Sequence, residues 1–445
     1  MQIKQFEYKP LSHFSYAIIS EGKMALVDPE RDPTQYYAFA EANKAHIVAV
    51  FETHPHADFA SAHLQIQKET GAIIYTSKMV GADYPHKTFD DGDSFTMGNI
   101  TFKAVNTPGH SPDSITVIAS ENGEVALFTG DTLFIGDVGR PDLRENAGNK
   151  KAKRKELAQA MYNTIQTKFN DLPDNALVYP AHGAGSLCGK NLSSDSSSTL
   201  GNERMGNWAF NDQTEVEFIE TILDSQPFIP HYFGFDVDIN KNGVPNLNSS
   251  IGKIPLKINV TEVEENAVIV DIRDEKEFKK KHLKDSFNIM AVSETAKFET
   301  WLGSIVKPEE EFYVVVDKAE NAWKILNRIA KIGYENRVKA IVTLGEKVKN
   351  SSNSFNLDAF KANPKNYTVV DIRNTSETEE GKFFEHALTI PLNELRERTD
   401  EIPLEKPIVV HCAGGYRSAA GSSIVDENVS EVPVYDLSEA VEEFK

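Results

Sequence analysis

Four short polar clusters in the first half of the chain each come at the end of an apolar run and offer histidine or aspartate donors. Thr53-His54-Pro55-His56-Ala57-Asp58 follows Ile47-Val48-Ala49-Val50-Phe51, and Thr107-Pro108-Gly109-His110, Thr129-Gly130-Asp131 and Pro180-Ala181-His182 come after it in order. Histidine offers a neutral imidazole and aspartate an anionic oxygen, so loops at one sheet edge could gather these clusters round a metal ion. One combination, His54, His110 and Asp131, is a two-histidine, one-carboxylate set. Such a set leaves positions open and suits non-haem Fe(II), which must bind O₂ and substrate together. An isolated histidine is usually a surface or satisfied residue. Four strand-end clusters in sequence are not isolated.

A second centre is written in IVVHCAGGYRSAAGSSIV (408–425). An apolar strand runs into Cys412, then Ala413, Gly414, Gly415, Tyr416 and Arg417, and then a helix start rich in small residues. Such a loop aims backbone N–H groups and a helix N-terminus at the sulfur, and with Arg417 nearby would stabilise negative charge on it. The other cysteine, Cys188, lies in GAGSLCGK (183–190), directly after His182. It reads either as a sulfur acceptor beside the metal or as a packed thiol in a covering loop. Two cysteines in 445 residues exclude a disulfide framework.

The elements that must position these groups follow from hydrophobic periodicity. FSYAIIS, KMALVDP, HIVAVFETH, AIIYTS, ITFKAVNTPGH, SITVIAS, EVALFTGD and ALVYPAH read as strands, and helical patterns occur at 33–44, 150–166 and 215–223. The Gly/Ser/Asn-rich stretch 183–207 reads as a long loop laid over something, and HYFGFDVDINKNGVPNLNSS (231–250) as a linker. His13, His46, His63, His86 and His231 fall outside the clusters and read as structural or surface residues. After the linker the chain repeats itself: Asp271-Ile272-Arg273 and Asp371-Ile372-Arg373 lie 100 residues apart, each after a strand and before a charged helix, as duplicated α/β domains would have them. The length suits about three domains. A net charge of −20 and a pI near 5.1 argue against nucleic acid or an anionic membrane as partner. No run reaches the ~18 apolar residues of a membrane span, so a cytoplasmic location is expected.

The order THxHAD, TPGH, TGD, PAH resembles the metallo-β-lactamase superfamily, and GDTLFIGDVGRPDL (130–143) is similar to its persulfide dioxygenase branch. That resemblance implies one Fe(II) per chain held by His54, His110 and Asp131. His56, Asp58 and His182 match the remaining superfamily ligand positions and would hold water or support the ligands. Arg140 would brace its loop through Asp142 or attract an anionic persulfide. Two-metal members carry a histidine after the Asp58 position. Here Phe59 stands there and offers no lone pair, which disfavours two-metal hydrolysis.

The Cys412 loop resembles the rhodanese active site and is one residue shorter than that of related phosphatases, which favours sulfur transfer. The first copy has VVVDKAENAW (314–323) in the corresponding place, with Asp317 where the thiol is expected, so it resembles a pseudo-rhodanese serving as spacer, oligomer contact or docking surface. Asp371 and Arg373 are expected to be structural. The whole chain is thus similar to persulfide dioxygenase–rhodanese fusions. The implied architecture is a multidomain α/β protein, with an N-terminal metallo-β-lactamase αββα sandwich (1–245), a pseudo-rhodanese domain (250–350) and a rhodanese domain (355–445), both with parallel sheets. The implied partners are a low-molecular-weight thiol persulfide, O₂ and sulfite, in a dimer or tetramer. A glyoxalase II-like thioester hydrolase and a sulfur-relay protein with a structural metal are the alternatives.

Overall fold

The computed structural model describes residues 1–145, 153–294 and 296–445. Met1–Ser249 with Ala330–Gly333 form one compact unit, and Ser250–Ile329 with Tyr334–Lys445 form the other. The first unit holds two six-stranded sheets. One runs in sequence order through β1 (Gln2–Tyr8), β2 (His13–Ser20), β3 (Lys23–Val27), β4 (His46–Phe51), β5 (Ile73–Thr76) and β6 (Lys87–Thr88). The other comprises β7 (Ser94–Met97), β8 (Ile100–Asn106), β9 (Ile115–Glu121), β10 (Glu124–Gly130), β11 (Leu177–Pro180) and β12 (Ser198–Thr199), in the order β12-β11-β10-β9-β8-β7.

Period-two alternation sends successive residues to opposite faces of each sheet. Tyr16, Ile18, Val27 and Phe51 of the first sheet pack on Phe102, Val117, Ala119 and Phe128 of the second, making the sandwich core. The intervening residues Ala17, Leu26 and Val50 face outward onto the helices Thr34–Ala42 and His63–Thr70. On the far side Ile118, Leu127 and Val178 take the helices Arg154–Thr167 and Glu215–Leu223. Helix Arg154–Thr167 buries Leu157, Ala158, Met161 and Ile165, a single stripe at helical spacing. The expected helix over 150–166 began four residues earlier, and 150–152 lie outside the described residues. The result is the αββα sandwich that the resemblance implied.

One expectation fails. The stretch read as a linker forms the helix Tyr232–Asn242, in which Tyr232, Phe233, Asp236, Val237 and Asn240 are buried. Its Asp/Asn-rich composition argues for a turn, but burial of two aromatic rings and a valine outweighs the few tenths of a kcal/mol per residue that such composition costs.

The second unit contains two parallel sheets. The first has the order β13-β17-β16-β14-β15, built from β13 (Leu256–Val260), β14 (Val268–Asp271), β15 (Ser286–Asn288), β16 (Phe312–Val316) and β17 (Val338–Leu344). The second has the order β19-β18-β20-β21, from β18 (Thr368–Asp371), β19 (Leu388–Thr389), β20 (Ile408–His411) and β21 (Val434–Asp436). The repeated Asp-Ile-Arg turns are structural, and they are the same in both copies. Arg273 clamps Asp271 with two nitrogens and reaches Lys281 O at 2.6 Å, while Arg373 clamps Asp371 and reaches Gly381 O at 2.9 Å. Among the described residues no helix is long and apolar enough to cross a membrane.

Candidate metal and sulfur centres

The clusters singled out in the first half lie at the C-terminal ends of β4, β8, β10 and β11. Gly130, the last residue of β10, has φ +53°, and a Cβ there would stand 2.4 Å from Thr53 Oγ1. Only glycine lets the Asp131 loop approach the His54 loop this closely. His54, His110 and Asp131 are all buried, and their ligand atoms lie within 4.8 Å of one another. His54 Nε2 is 3.8 Å and His110 Nε2 3.5 Å from Asp131 Oδ2.

Hydrogen bonding fixes both imidazoles. The Thr53 hydroxyl donates its one proton to Asp28 Oδ2 (2.8 Å), so at 3.1 Å from His54 Nδ1 it can only accept. The proton of His54 therefore sits on Nδ1. His110 Nδ1 faces the carbonyl oxygen of Arg140 at 2.9 Å and must donate too. Both rings thus present a bare Nε2 lone pair to Asp131, as ligating histidines do. Burial lowers the pKa of His54 and of His110, which keeps these lone pairs available. His54 Nε2 and Asp131 Oδ2 are buried without a hydrogen-bond partner. A divalent cation satisfies both at once, so the residues present fit a metal.

The supporting residues close round this set. His182 Nδ1 lies 2.7 Å from Asp131 Oδ1, and its Nε2 lies 2.7 Å from Asp58 Oδ2. Burial works against charge on this ring, but Asp131 and Asp58 prevail and raise its pKa to about 10. His56 Nε2 sits 3.3 Å from Asp28 Oδ1. The ring of Phe59 lies 4.4 Å from that of His56 and 3.8 Å from that of His13. His13 belongs to the site wall: it bridges to His182 across the strand edge, and nothing near it in sequence marked it. His63, by contrast, is a buried structural residue against Glu52 and Tyr84.

The helix Tyr232–Asn242 holds the His54–Phe59 loop from outside. Asn240 Nδ2 donates to His56 O (2.9 Å) and Phe59 O (2.7 Å), and its Oδ1 accepts from Ser61 N–H (2.8 Å).

Arg140 is 1% exposed and grips Asp142 through Nε and Nη2 at 2.7 and 2.8 Å, so it is no surface ion pair. Its Nη1 donates to Leu187 O and its backbone N–H to Cys188 O, fastening the covering segment. That segment is also tied down through Asp137, whose Oδ2 accepts from Lys190 and Asn191 N–H. Cys188 is buried beside Asp58 and His182, and burial, then Asp58 and Asp131, pushes its thiol pKa well up. Sequence gave no sign of a second buried ion pair, Arg144 on Asp113 at 2.8 and 2.9 Å.

In the second unit, β20 delivers Cys412 to a loop through Ala413 and Gly414 that opens the helix Tyr416–Asn428. Gly415 has φ +99°, and its N–H donates to Cys412 Sγ at 3.2 Å. The sulfur was expected to receive several backbone donors, and this is the one hydrogen bond that reaches it among the described residues. Arg417 is held by Glu377 through Nη1 and Nη2 at 2.6 and 2.7 Å. Cys412 opens on a cavity of about 400 Å³ whose other wall comes from the first copy, with Val292, Ser293, Ala296, Lys297 and Trp301 facing Gly414, Tyr416 and Arg417. Tyr416 donates to Met290 O at 2.7 Å, locking the two walls. The first copy is therefore part of the pocket.

Strand register also corrects the residue that replaces the thiol. Asp371 pairs with His411 and Asp271 with Val315, so Val316, not Asp317, occupies the position of Cys412. Asp317 lies one residue on, accepting from Lys318 N–H and Asn321 Nδ2. Neither residue is a sulfur nucleophile.

Residues 8–182 match the metallo-beta-lactamase superfamily, and residues 260–343 match the rhodanese-like domain. A crystal structure of a metallo-beta-lactamase from Staphylococcus aureus subsp. aureus COL is 30% identical, with a TM-score of 0.67 over 77% of this chain and 99% of that one. Among curated proteins, the cytoplasmic hydroxyacylglutathione hydrolase of Arabidopsis thaliana is 32% identical over 38% of this chain, and the human mitochondrial persulfide dioxygenase ETHE1 is 29% identical over 35%. The chain spans 63% and 58% of the length of these two relatives. With the sandwich, its strand-end donors and a full-length structural relative in agreement, the chain belongs to the metallo-β-lactamase superfamily and carries a rhodanese-like domain behind that fold.

Proposed function

We propose that the chain is a mononuclear Fe(II) persulfide dioxygenase coupled to sulfur transfer through Cys412. One observation carries this reading: two neutral imidazole nitrogens and one carboxylate oxygen face each other, while Phe59 fills the place of a second ion's histidine. His54, His110 and Asp131 would hold the iron. When bound, Fe(II) supplies O₂ binding, a seat for the substrate's terminal sulfur and a path for electrons between them. Thr53 and the Arg140 carbonyl keep the ligand lone pairs aimed, and Phe59 with His13 excludes water on one side. The product on this reading is sulfite and the free carrier thiol, a low-molecular-weight one.

At the other centre Cys412 as thiolate attacks the sulfane sulfur of a persulfide, R–S–SH, giving Cys412–S–SH and releasing RS⁻. Sulfite then attacks the outer sulfur of the deprotonated Cys412–S–S⁻, forming thiosulfate and restoring the thiolate. The Gly415 N–H stabilises negative charge on Sγ at both ends of this cycle. Both thiols are unpaired, which suits a reducing cytoplasm.

The hydroxyacylglutathione hydrolase relative favours a second reading, thioester hydrolysis. Oxygen uptake decides between them. The full chain loaded anaerobically with Fe(II) and given glutathione persulfide or coenzyme A persulfide should consume dissolved O₂ until the persulfide is spent. Cys412→Ser should keep that uptake and release sulfite in place of thiosulfate. No uptake with either persulfide, together with hydrolysis of a glutathione thioester, would replace the dioxygenase reading with the hydrolase.

A further inference from the structure

We propose that the second unit carries a binding site for an aliphatic polyamine, in a cavity between its two rhodanese-like copies. The cavity holds about 540 Å³, in the range of roughly 300–1,000 Å³ usual for small-molecule pockets. It shares no lining residue with the cavity at Cys412.

Its walls are rich in acceptors and poor in donors. Asn288 lines it and is fully buried. Its Nδ2 is spent on the carbonyls of Asp271 (3.1 Å) and Arg273 (2.9 Å), so the amide cannot turn over and Oδ1 is left without a partner. A buried oxygen in that state is costly, and it calls for an N–H from whatever fills the cavity. The neighbouring hydroxyls cannot supply a proton. Ser286 donates to Leu283 O, Ser422 to Ala419 O and Ser423 to Ala420 O, which leaves each with lone pairs only. His282 Nδ1 donates to Phe278 O at 2.9 Å, which makes Nε2 the acceptor of the neutral ring. Lys279 is committed at 2.8 Å to both Glu275 and Asp436, and the Lys280 and Lys284 side chains are exposed. Asp426 and Glu427 stand exposed at the mouth, and among the described residues neither accepts a hydrogen bond or forms an ion pair.

The unspent acceptors fix the ligand class. From Asn288 to Glu427 they ask for a positively charged molecule with several N–H groups. A single metal ion does not suit, because among the described residues no three histidine or carboxylate donors of this cavity come within 4.8 Å of one another. The Phe278 ring stacks on that of His282 at 4.2 Å and 10°, a flat apolar surface for a hydrocarbon chain. Ammonium groups joined by methylenes match both features.

The test is equilibrium dialysis of the full chain against spermidine at about 150 mM salt, which screens long-range attraction to the net charge of −20. One saturable site per chain is expected. Asp426→Asn with Glu427→Gln should weaken it at least about tenfold. Asp400→Asn with Glu405→Gln removes the same charge from exposed positions outside the cavity and should bind as the wild type does. Ser422→Phe fills the cavity and should abolish the site; if that variant fails to fold, the charge variants, on exposed residues, decide alone. Non-saturable uptake, equal weakening by the two double variants, displacement by equimolar Mg(II), or wild-type binding by a folded Ser422→Phe would each overturn the proposal.

Discussion

Replacing Thr53 by valine removes one hydroxyl and almost no volume, and the geometry says what that does to the metal centre. The hydroxyl donates to Asp28 Oδ2 at 2.8 Å and receives the His54 Nδ1 proton at 3.1 Å. Asp28 keeps the Thr53 backbone N–H at 2.8 Å, so its loss is partial. His54 Nδ1–H, which is buried, loses its acceptor, at a cost of about 1–3 kcal/mol. In the metal-free protein the ring escapes that cost by moving its proton to Nε2, towards Asp131 Oδ2 at 3.8 Å. The nitrogen that should bind metal is then blocked. Loss of such an orienting partner costs about 10–100-fold in affinity, or about 1.4–2.8 kcal/mol. Anaerobic competition of Fe(II) or Co(II) against a chromophoric chelator measures this directly. Thr53→Ser retains the hydroxyl and should bind like the wild type. Thr53→Val binding metal as tightly as Thr53→Ser, with both proteins folded by circular dichroism, would refute the tautomer argument.

Other consequences can be measured as readily. Arg140→Ala leaves Asp142 buried without its partner and unfastens Leu187, so the unfolding free energy of the first unit should fall by about 3–5 kcal/mol in urea titration. Trp301→Ala opens the wall facing Cys412 and removes the ring 5.9 Å from the Arg417 guanidinium, so iodoacetamide should alkylate Cys412 faster while metal binding is unchanged. Burial pushes the Asp436 carboxyl from 3.8 up to about 6, although Lys279 pulls the other way. The folded form therefore holds this proton more tightly than the unfolded chain. Stability from this group is full below pH 3.8 and is lost as pH rises through about 6, by no more than about 3 kcal/mol. Asp436→Asn should flatten that part of the urea-midpoint profile.

The metal-ligand candidates were legible because each sits in a short cluster at a strand end, where three or four consecutive letters carry the signal. The sandwich was legible from alternation, since Tyr16 and Ile18 face one layer and Ala17 the other. What escaped was whatever depends on partners far along the chain. Asp28, 25 residues before Thr53, orients His54 through the Thr53 hydroxyl. His13 reaches the site because β2 begins beside His182. The helix Tyr232–Asn242 carries Asp, Asn and Gly at turn-like frequency, and its helicity comes from what it buries. In the second unit, the wall opposite Cys412 comes from a copy whose own letters announce no chemistry. The register that puts Val316 in the thiol's place is likewise a property of paired strands.

The Asn240 contacts have a consequence for how the protein is made. Asn240 secures the carbonyl of His56 from 184 residues further along. At a synthesis rate of about 5–20 residues per second, roughly 10–40 s separate translation of the first histidines from that of the side chain that frames them. During that interval the nascent chain exposes a run of imidazoles and carboxylates with no fixed geometry, free to take up whichever metal is abundant. Selection of the ion is then a late event, made after the frame closes. Ribosome-bound chains halted before residue 240 should hold metal loosely and with little discrimination, and chains halted well beyond it should hold it as the finished protein does.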